Sequence, residues 1–268
     1  MGAPRGLIVY ALAYLAFLYL PVMLLPLFSF NDASVVAFPL QGFTTRWYRN
    51  LAEIPALHEA AVNSLIVGVA SALIATILGT GAARGLTRYT FQGRGPVAAF
   101  LMLPMVMPEI IVAVALLVVL LQLGLELSLF TITLGHVLFC LPFAISVLRT
   151  SFLGLDRSLE EASLDLGETR LMTFRRVILP LVGPGLISSL LICFTISFDE
   201  FILAFFLGGQ ATTLPLYIWS QLRFAAKLPN VLALGSLILM GSLILLGTAE
   251  LLRRRVERRT GIEGGTVA

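Results

Sequence analysis

Charge is scarce in this sequence. Asp, Glu, Lys and Arg make up 12% of its 268 residues, against 58% hydrophobic ones, where a soluble domain is about a quarter charged and about half apolar. A water-soluble fold of this length has no way to hide so much apolar surface, so lipid is the expected solvent. Lysine is nearly absent: of 18 basic residues, only Lys227 is a lysine. The phosphate-cradling run G-x4-G-K-[ST] does not occur, which argues against a nucleotide-hydrolysing site on this chain. The two cysteines, Cys140 and Cys193, lie inside apolar runs and read as small buried hydrophobes, with no disulfide or metal framework implied. His58 and His136 stand apart, and no span offers a catalytic triad, so neither catalytic nor metal-ligating residues are expected. His136 reads as a packed or interhelical hydrogen-bonding residue.

What is abundant is apolar sequence in segments. About 20 apolar residues cross a bilayer as a helix, and six stretches qualify: Leu7–Phe30, Val62–Ala83, Val97–Gln122, Leu127–Leu148, Leu181–Leu207 and Val231–Leu252. The first is long for a signal peptide, lacks a small-residue cleavage site and reads as a retained anchor. The fold class is therefore an all-α membrane protein with six transmembrane helices. With the N-terminus in the cytoplasm, the segments on that side carry Arg5, Arg84, Arg88, Arg94, Arg149, Arg157, Arg170, Arg175, Arg176 and the Arg-rich tail from Arg253 to Arg259. The opposite side holds only Arg46, Arg49, Arg223 and Lys227. This asymmetry predicts both termini in the cytoplasm and makes the basic charge a topology signal, not a nucleic-acid footprint. The outer segments Asn31–Ala61 and Gly208–Asn230 carry Trp47, Tyr48, Tyr217 and Trp219, read as interfacial anchors. The same segments offer a docking surface to an external partner.

The loop Thr150–Pro180 is too patterned for a linker. Ser158-Leu159-Glu160-Glu161 fits a capping box, with Ser158 as the cap and Glu161 reaching back. Glu160 and Glu161 sit where a helix dipole favours anions. Leu159, Ala162, Ser163 and Leu166 fall at helical spacing and form a small, apolar stripe, with Glu161, Asp165 and Glu168 on a neighbouring acidic face. Gly167 supplies a stop, and a second short helix is expected from about Thr169 until Pro180 ends it. Such a structure needs cover. The cytoplasmic leaflet is itself anionic, so the acidic face favours docking into a groove on a soluble partner.

The same loop contains Glu161-Ala162-Ser163, three residues, Gly167, nine residues, then Val177, Leu179 and Pro180. It resembles the EAA-x3-G-x9-I-x-L-P pattern of binding-protein-dependent ABC importer permeases, with Ser163 and Val177 as conservative departures. The resemblance begins near Asn63-Ser64-Leu65 and implies the type I, MetI-like permease fold: an N-terminal helix and outer segment over 1–60, a permease core over 61–255 with the coupling loop 150–180, and a cytoplasmic tail over 256–268. It further implies a bacterial inner-membrane location and an ATPase dimer that receives the loop through Ser158, Glu160, Glu161, Ala162, Ser163, Asp165, Gly167, Leu179 and Pro180. ATP and Mg would bind that partner, and no cofactor this chain. A second, homologous permease, a periplasmic or lipid-anchored solute-binding protein and membrane lipid complete the implied partners.

Three acids lie within spans: Glu109, Asp199 and Glu200. A carboxylate there is costly and normally faces a cavity or a partner. Pro104 and Pro108 kink the third span beside Glu109. Counting along straight helices places Glu109 near mid-depth and Asp199 nearer the outer leaflet. Asp199 and Glu200, adjacent on one helix, diverge by about 100° and do not face one cavity together. With no basic residue in the spans, a cationic solute is the expected cargo. The runs Ser197–Phe201, Thr213–Trp219 and Met107–Glu109 resemble the second permease of spermidine/putrescine importers. Permeases for opines, aminophosphonates and ferric iron are close alternatives. An ATP-independent cation transporter or channel, or a membrane scaffold, is the alternative of a different class.

Overall fold

The computed structural model describes residues 5–33 and 36–260, with side chains over 6–33 and 36–244. The expected tail lies partly beyond it, since 261–268 fall outside the described residues. The chain forms helices α1 (Arg5–Ser29), α2 (Arg46–Ala52), α3 (Pro55–Arg88), α4 (Arg94–Val106), α5 (Glu109–Gln122), α6 (Leu129–Leu153) and α7 (Arg157–Asp165). After α8 (Arg170–Thr173), a π-helical segment (Phe174–Ile178) and α9 (Leu179–Leu181) come α10 (Gly183–Asp199), α11 (Ile202–Leu207), α12 (Leu214–Leu222) and α13 (Leu228–Thr260). Among the described residues the one β-bridge joins Asn31 to Phe43. Among the described residues four helices are long and apolar enough to span a membrane, or up to six spans if each of two bent helix pairs counts as one.

Both bent pairs depart from straight helices. α4 and α5 meet at 106°, because Pro108, with no N–H to donate, stands at the N-cap of α5 while Met107 is extended. Pro104 stays inside α4. The expected fifth span Leu181–Leu207 is interrupted twice. The segment Arg170–Leu181 meets α10 at 70°, and α10 ends at Asp199 with Glu200 in an extended conformation. The second break carries no Pro or Gly. Its cause is the Glu200 carboxylate, which accepts the Leu203 N–H at 3.0 Å and so caps α11.

Residues 55–217 form one compact unit, and the described residues before and after them form another. In the first, α3, α6 and α10 pack together around Ala72, Ala75, Ala83, Cys140, Ala144, Leu148 and Cys193. Small side chains let the backbones approach, since membrane helices gain from close packing rather than from water exclusion. A Cβ on Gly79 would stand 2.7 Å from the Ala144 Cβ. A buried polar seam runs along α10: Ser189 bonds Thr76 at 2.9 Å, Cys140 and Cys193 each point a thiol at the other's carbonyl, and Ser197 bonds His136 Nδ1 at 2.7 Å. Both cysteines are free and buried, and His136 has the interhelical role expected of it. Asn63 Nδ2 donates to the Thr212 carbonyl and Ser64 Oγ accepts from the Leu214 N–H, so both side chains pin the start of α12.

In the other unit α1 packs on α13, and α2 also lies against α13. Trp47, expected as an interfacial anchor, is buried instead, and its indole N–H donates to the Asn31 carbonyl at 2.8 Å. Tyr48 reaches Ser29 at 2.5 Å. Both aromatics are spent on holding the end of α1, whereas Trp219 is exposed with Arg223 stacked on its ring.

Candidate functional site: the 150–180 loop and a carboxyl pair

The loop folds as two short arms. α7 is capped by Asp156, whose carboxylate accepts from the Ser158 N–H at 3.0 Å. This replaces the expected capping box: the helix starts earlier, at Arg157, and Asp is as good a cap as Ser while lying nearer the first free amides. The Asp156 carboxyl is held below its ordinary range by the Ser158 backbone N–H first and the Ser158 hydroxyl second, with Arg88 contributing less. At the other end Gly167 adopts φ +89°. The Gly167 N–H bonds the Leu164 carbonyl at 2.9 Å and the Glu168 N–H the Ser163 carbonyl at 3.2 Å, the paired closure that a left-handed glycine permits.

Thr169 caps the second arm through the Met172 N–H. Pro180 does not end that arm, which continues to Leu181. A π-helical turn precedes the proline and widens the helix by one residue, so the missing N–H of Pro180 breaks nothing essential. The two arms are joined by a buried hydrogen bond, Ser163 Oγ to Thr173 Oγ1 at 3.0 Å. The expected apolar stripe is thereby split. Ser163 turns inward, while Leu159, Ala162 and Leu166 are exposed, the last by 86%, and Leu171 of the second arm is exposed by 74%. Glu161 and Asp165 are exposed on the same short helix, and Glu168 pairs with Arg176 at 2.7 Å within the second arm. Leu179 is half-buried and Pro180 exposed, whereas Ile178 is the buried member of that run.

The intramembrane acids separate. Glu200 is buried to 8% exposure, and Glu109, in the first turn of α5, lies near enough to interact with its carboxyl. Asp199, the last residue of α10, is exposed. Glu109 thus lies close to Glu200 in the fold, although the two belong to different bent helix pairs. The divergence expected of two neighbours on one helix applies only in part, because the helix stops between them. Two helix breaks thus bring two carboxyls together from residues 91 apart in sequence. Among the described residues no cluster of His, Cys, Asp and Glu has the makings of a metal site.

Residues 75–258 match the family model for the binding-protein-dependent transport system inner membrane component. The chain belongs to this family. It is 35% identical to the Escherichia coli spermidine/putrescine transport system permease protein PotC over 243 residues, 90% of this chain and 91% of that one. With the Escherichia coli putrescine transport system permease protein PotI it shares 37% identity over 264 residues, 96% of this chain and 93% of the relative. In fold it is similar to a chain of the bacterial ABC transporter that imports the acidic polysaccharide alginate, at TM-score 0.72 and 18% identity, covering 95% of this chain and 99% of that one. The MetNI methionine ABC transporter follows at TM-score 0.59, 20% identity, with 74% and 95% covered. The permease is thus a multi-pass inner-membrane subunit of an ABC importer, and ATP hydrolysis belongs to a partner chain.

Within the permease, the nine loop residues singled out by motif do not form one surface. Glu161, Ala162 and Asp165 are presented outward, Ser163 ties the arms together, and Gly167 shapes the turn between them. Glu160 points back to Arg84 and Arg88 of α3. The motif gave no sign of Arg84, Arg88, Asp156 or Thr173. Two of these are on a helix far away in sequence. The other two were readable as an Asp and a Thr placed before and after the helix starts.

Proposed function

We propose that the permease forms the solute path of a polyamine importer and receives the stroke of a cytoplasmic ATPase dimer through its 150–180 loop. The observation that carries the substrate is the Glu109–Glu200 pair, two carboxyls brought together at helix breaks on helices that contain no Arg or Lys. Such a pair suits the ammonium groups of a linear polyamine. The printed names of the relatives, spermidine/putrescine and putrescine permeases, support the same solute class. The match over 75–258 supports a permease core near 61–255. The arginine asymmetry supports cytoplasmic termini and a cytoplasmic loop, whose outward face of Leu159, Ala162, Leu166, Glu161 and Asp165 meets the ATPase. ATP and Mg bind that partner. A homologous second permease and a periplasmic or lipid-anchored binding protein complete the importer, the latter delivering the solute.

The test is uptake of labelled spermidine and putrescine by proteoliposomes holding the complete importer, with ATP inside. Glu200→Gln and Glu109→Gln should each lower uptake roughly ten- to hundredfold, the loss expected when a charged contact of about 1.5–3 kcal/mol is removed. Unchanged uptake in both variants removes the carboxyl pair from the path.

A further inference from the structure

Glu160 is the acid of α7 that faces inward. Its Oε1 accepts from Arg84 Nη2 at 2.9 Å, and its Oε2 lies 3.9 Å from Arg88 Nε. The side chains of Arg84, Arg88 and Glu160 are 16%, 9% and 21% exposed, so their attraction is less screened than that of the open Glu168–Arg176 pair. The Arg84 guanidinium also stands 4.6 Å over the Phe174 ring, where the π-helical segment begins. One side chain of α3 therefore touches both arms of the loop. Arg88 Nη2 donates to the Leu155 carbonyl at 2.8 Å, and Arg157 reaches back to the Thr87 carbonyl at 3.5 Å. The end of α3 thus grips the chain before α7, α7 itself and the segment after it.

α3 is suited to carry a displacement further. Its 34 residues span about 50 Å at 1.5 Å each, well beyond a hydrocarbon core of about 30 Å. Along that length it packs on α6 and α10 with the backbones close at Gly79 and Ala144. Tightly packed helices move as bodies rather than deforming. α10 ends beside Glu200.

From this geometry we infer that Arg84, Arg88 and Glu160 are positioning residues: a charged clamp that makes the loop and α3 move as one, so that the ATPase stroke enters the membrane through α3. The inference rests on the coupling role proposed for the loop. Arginine suits the task because one planar guanidinium bonds a carboxylate and stacks on a ring at once.

The clamp is tested in the complete importer by measuring ATP hydrolysis and polyamine uptake in the same proteoliposomes. Arg84→Gln lowers uptake about tenfold or more, within the range of coupling between distant sites. ATP hydrolysis persists and the ATPase still co-purifies. Glu160→Gln, which removes the anion shared by both arginines, lowers uptake to a similar extent, and the Arg84→Gln/Glu160→Gln double variant loses little more than either single one. Unchanged uptake in Arg84→Gln, a parallel fall of hydrolysis and uptake, loss of the ATPase from the complex, or fully additive losses in the double variant each overturns the clamp. Failure of the underlying coupling role reads differently: Leu166→Glu, outside the clamp on the exposed face, would then leave ATPase binding intact.

Discussion

Where α3 crosses α6, residue 79 has space for hydrogen and nothing larger, since a Cβ there would come within 2.7 Å of the Ala144 Cβ and 3.3 Å of its backbone carbon. Gly79→Val forces the two helices apart and should cost roughly 1–3 kcal/mol, the usual scale of overpacking. A lower thermal midpoint of the detergent-solubilised permease checks it, and an unchanged midpoint would mean that α3 and α6 do not approach so closely. Gly167 is constrained differently. Nothing lies near its missing Cβ, but its φ of +89° is unfavourable for any other side chain. Gly167→Val should therefore unsettle the turn by about 1–2 kcal/mol and leave the spans assembled. The two glycines differ in legibility for a physical reason. Gly167 ends a helix whose period is visible around it, whereas Gly79 answers to a residue 65 positions away. Ser163 is a similar case. Its hydroxyl looked like a tolerated substitute for a methyl group and is instead the bond to Thr173 that joins the arms.

Helices start, bend and stop here by side-chain capping and proline as much as by hydropathy. Asp156 holds the first turn of α7, and its carboxyl is held below the ordinary carboxylate value by the Ser158 N–H it accepts. A depressed folded value means the cap contributes above the ordinary carboxylate range of about 4 and is lost only as pH falls through the lower folded value. Hydrogen exchange at the amides of residues 158–160 should accordingly be insensitive to pH-driven uncapping between about pH 5 and 8, beyond the intrinsic pH dependence of exchange. Asp156→Asn, which can still cap, should keep that protection, and Asp156→Ala should lose it. Equal protection in both variants would take the cap away from Asp156. The bend before α5 follows from Met-Pro-Glu and was readable from the prolines. The break before α11 was not, because Glu200 creates it by capping a new helix inside the expected span Leu181–Leu207, at a point with no Pro or Gly.

At the scale of the molecule, the permease is one part of a machine whose energy source lies on another chain. Purified alone in proteoliposomes it should support no spermidine uptake under an imposed proton or sodium gradient, and ATP-dependent uptake should appear only with the ATPase, second permease and binding protein present. Gradient-driven uptake by the chain alone would restore the secondary-transporter reading. Orientation is open to direct measurement. Single cysteines placed at Arg94 and at Glu126, in an otherwise cysteine-free background, should be labelled by an impermeant thiol reagent from the cytoplasmic and outer faces respectively. The reverse pattern would overturn the arginine asymmetry as a guide to sidedness.

The scarcity of charge and the segmented apolar runs were enough to determine the solvent and the helical class, because both depend on a short-range property, hydropathy over about 20 residues. The motif spacing from Glu161 to Pro180 was likewise local, and it carried the family. Tertiary structure alone decided what the few charges do. Glu109 comes near Glu200, and Glu160, expected among the residues that engage the ATPase, bonds Arg84, 76 residues away. Contacts of that kind depend on where helices break and which faces pack, and no periodic pattern in the sequence records either.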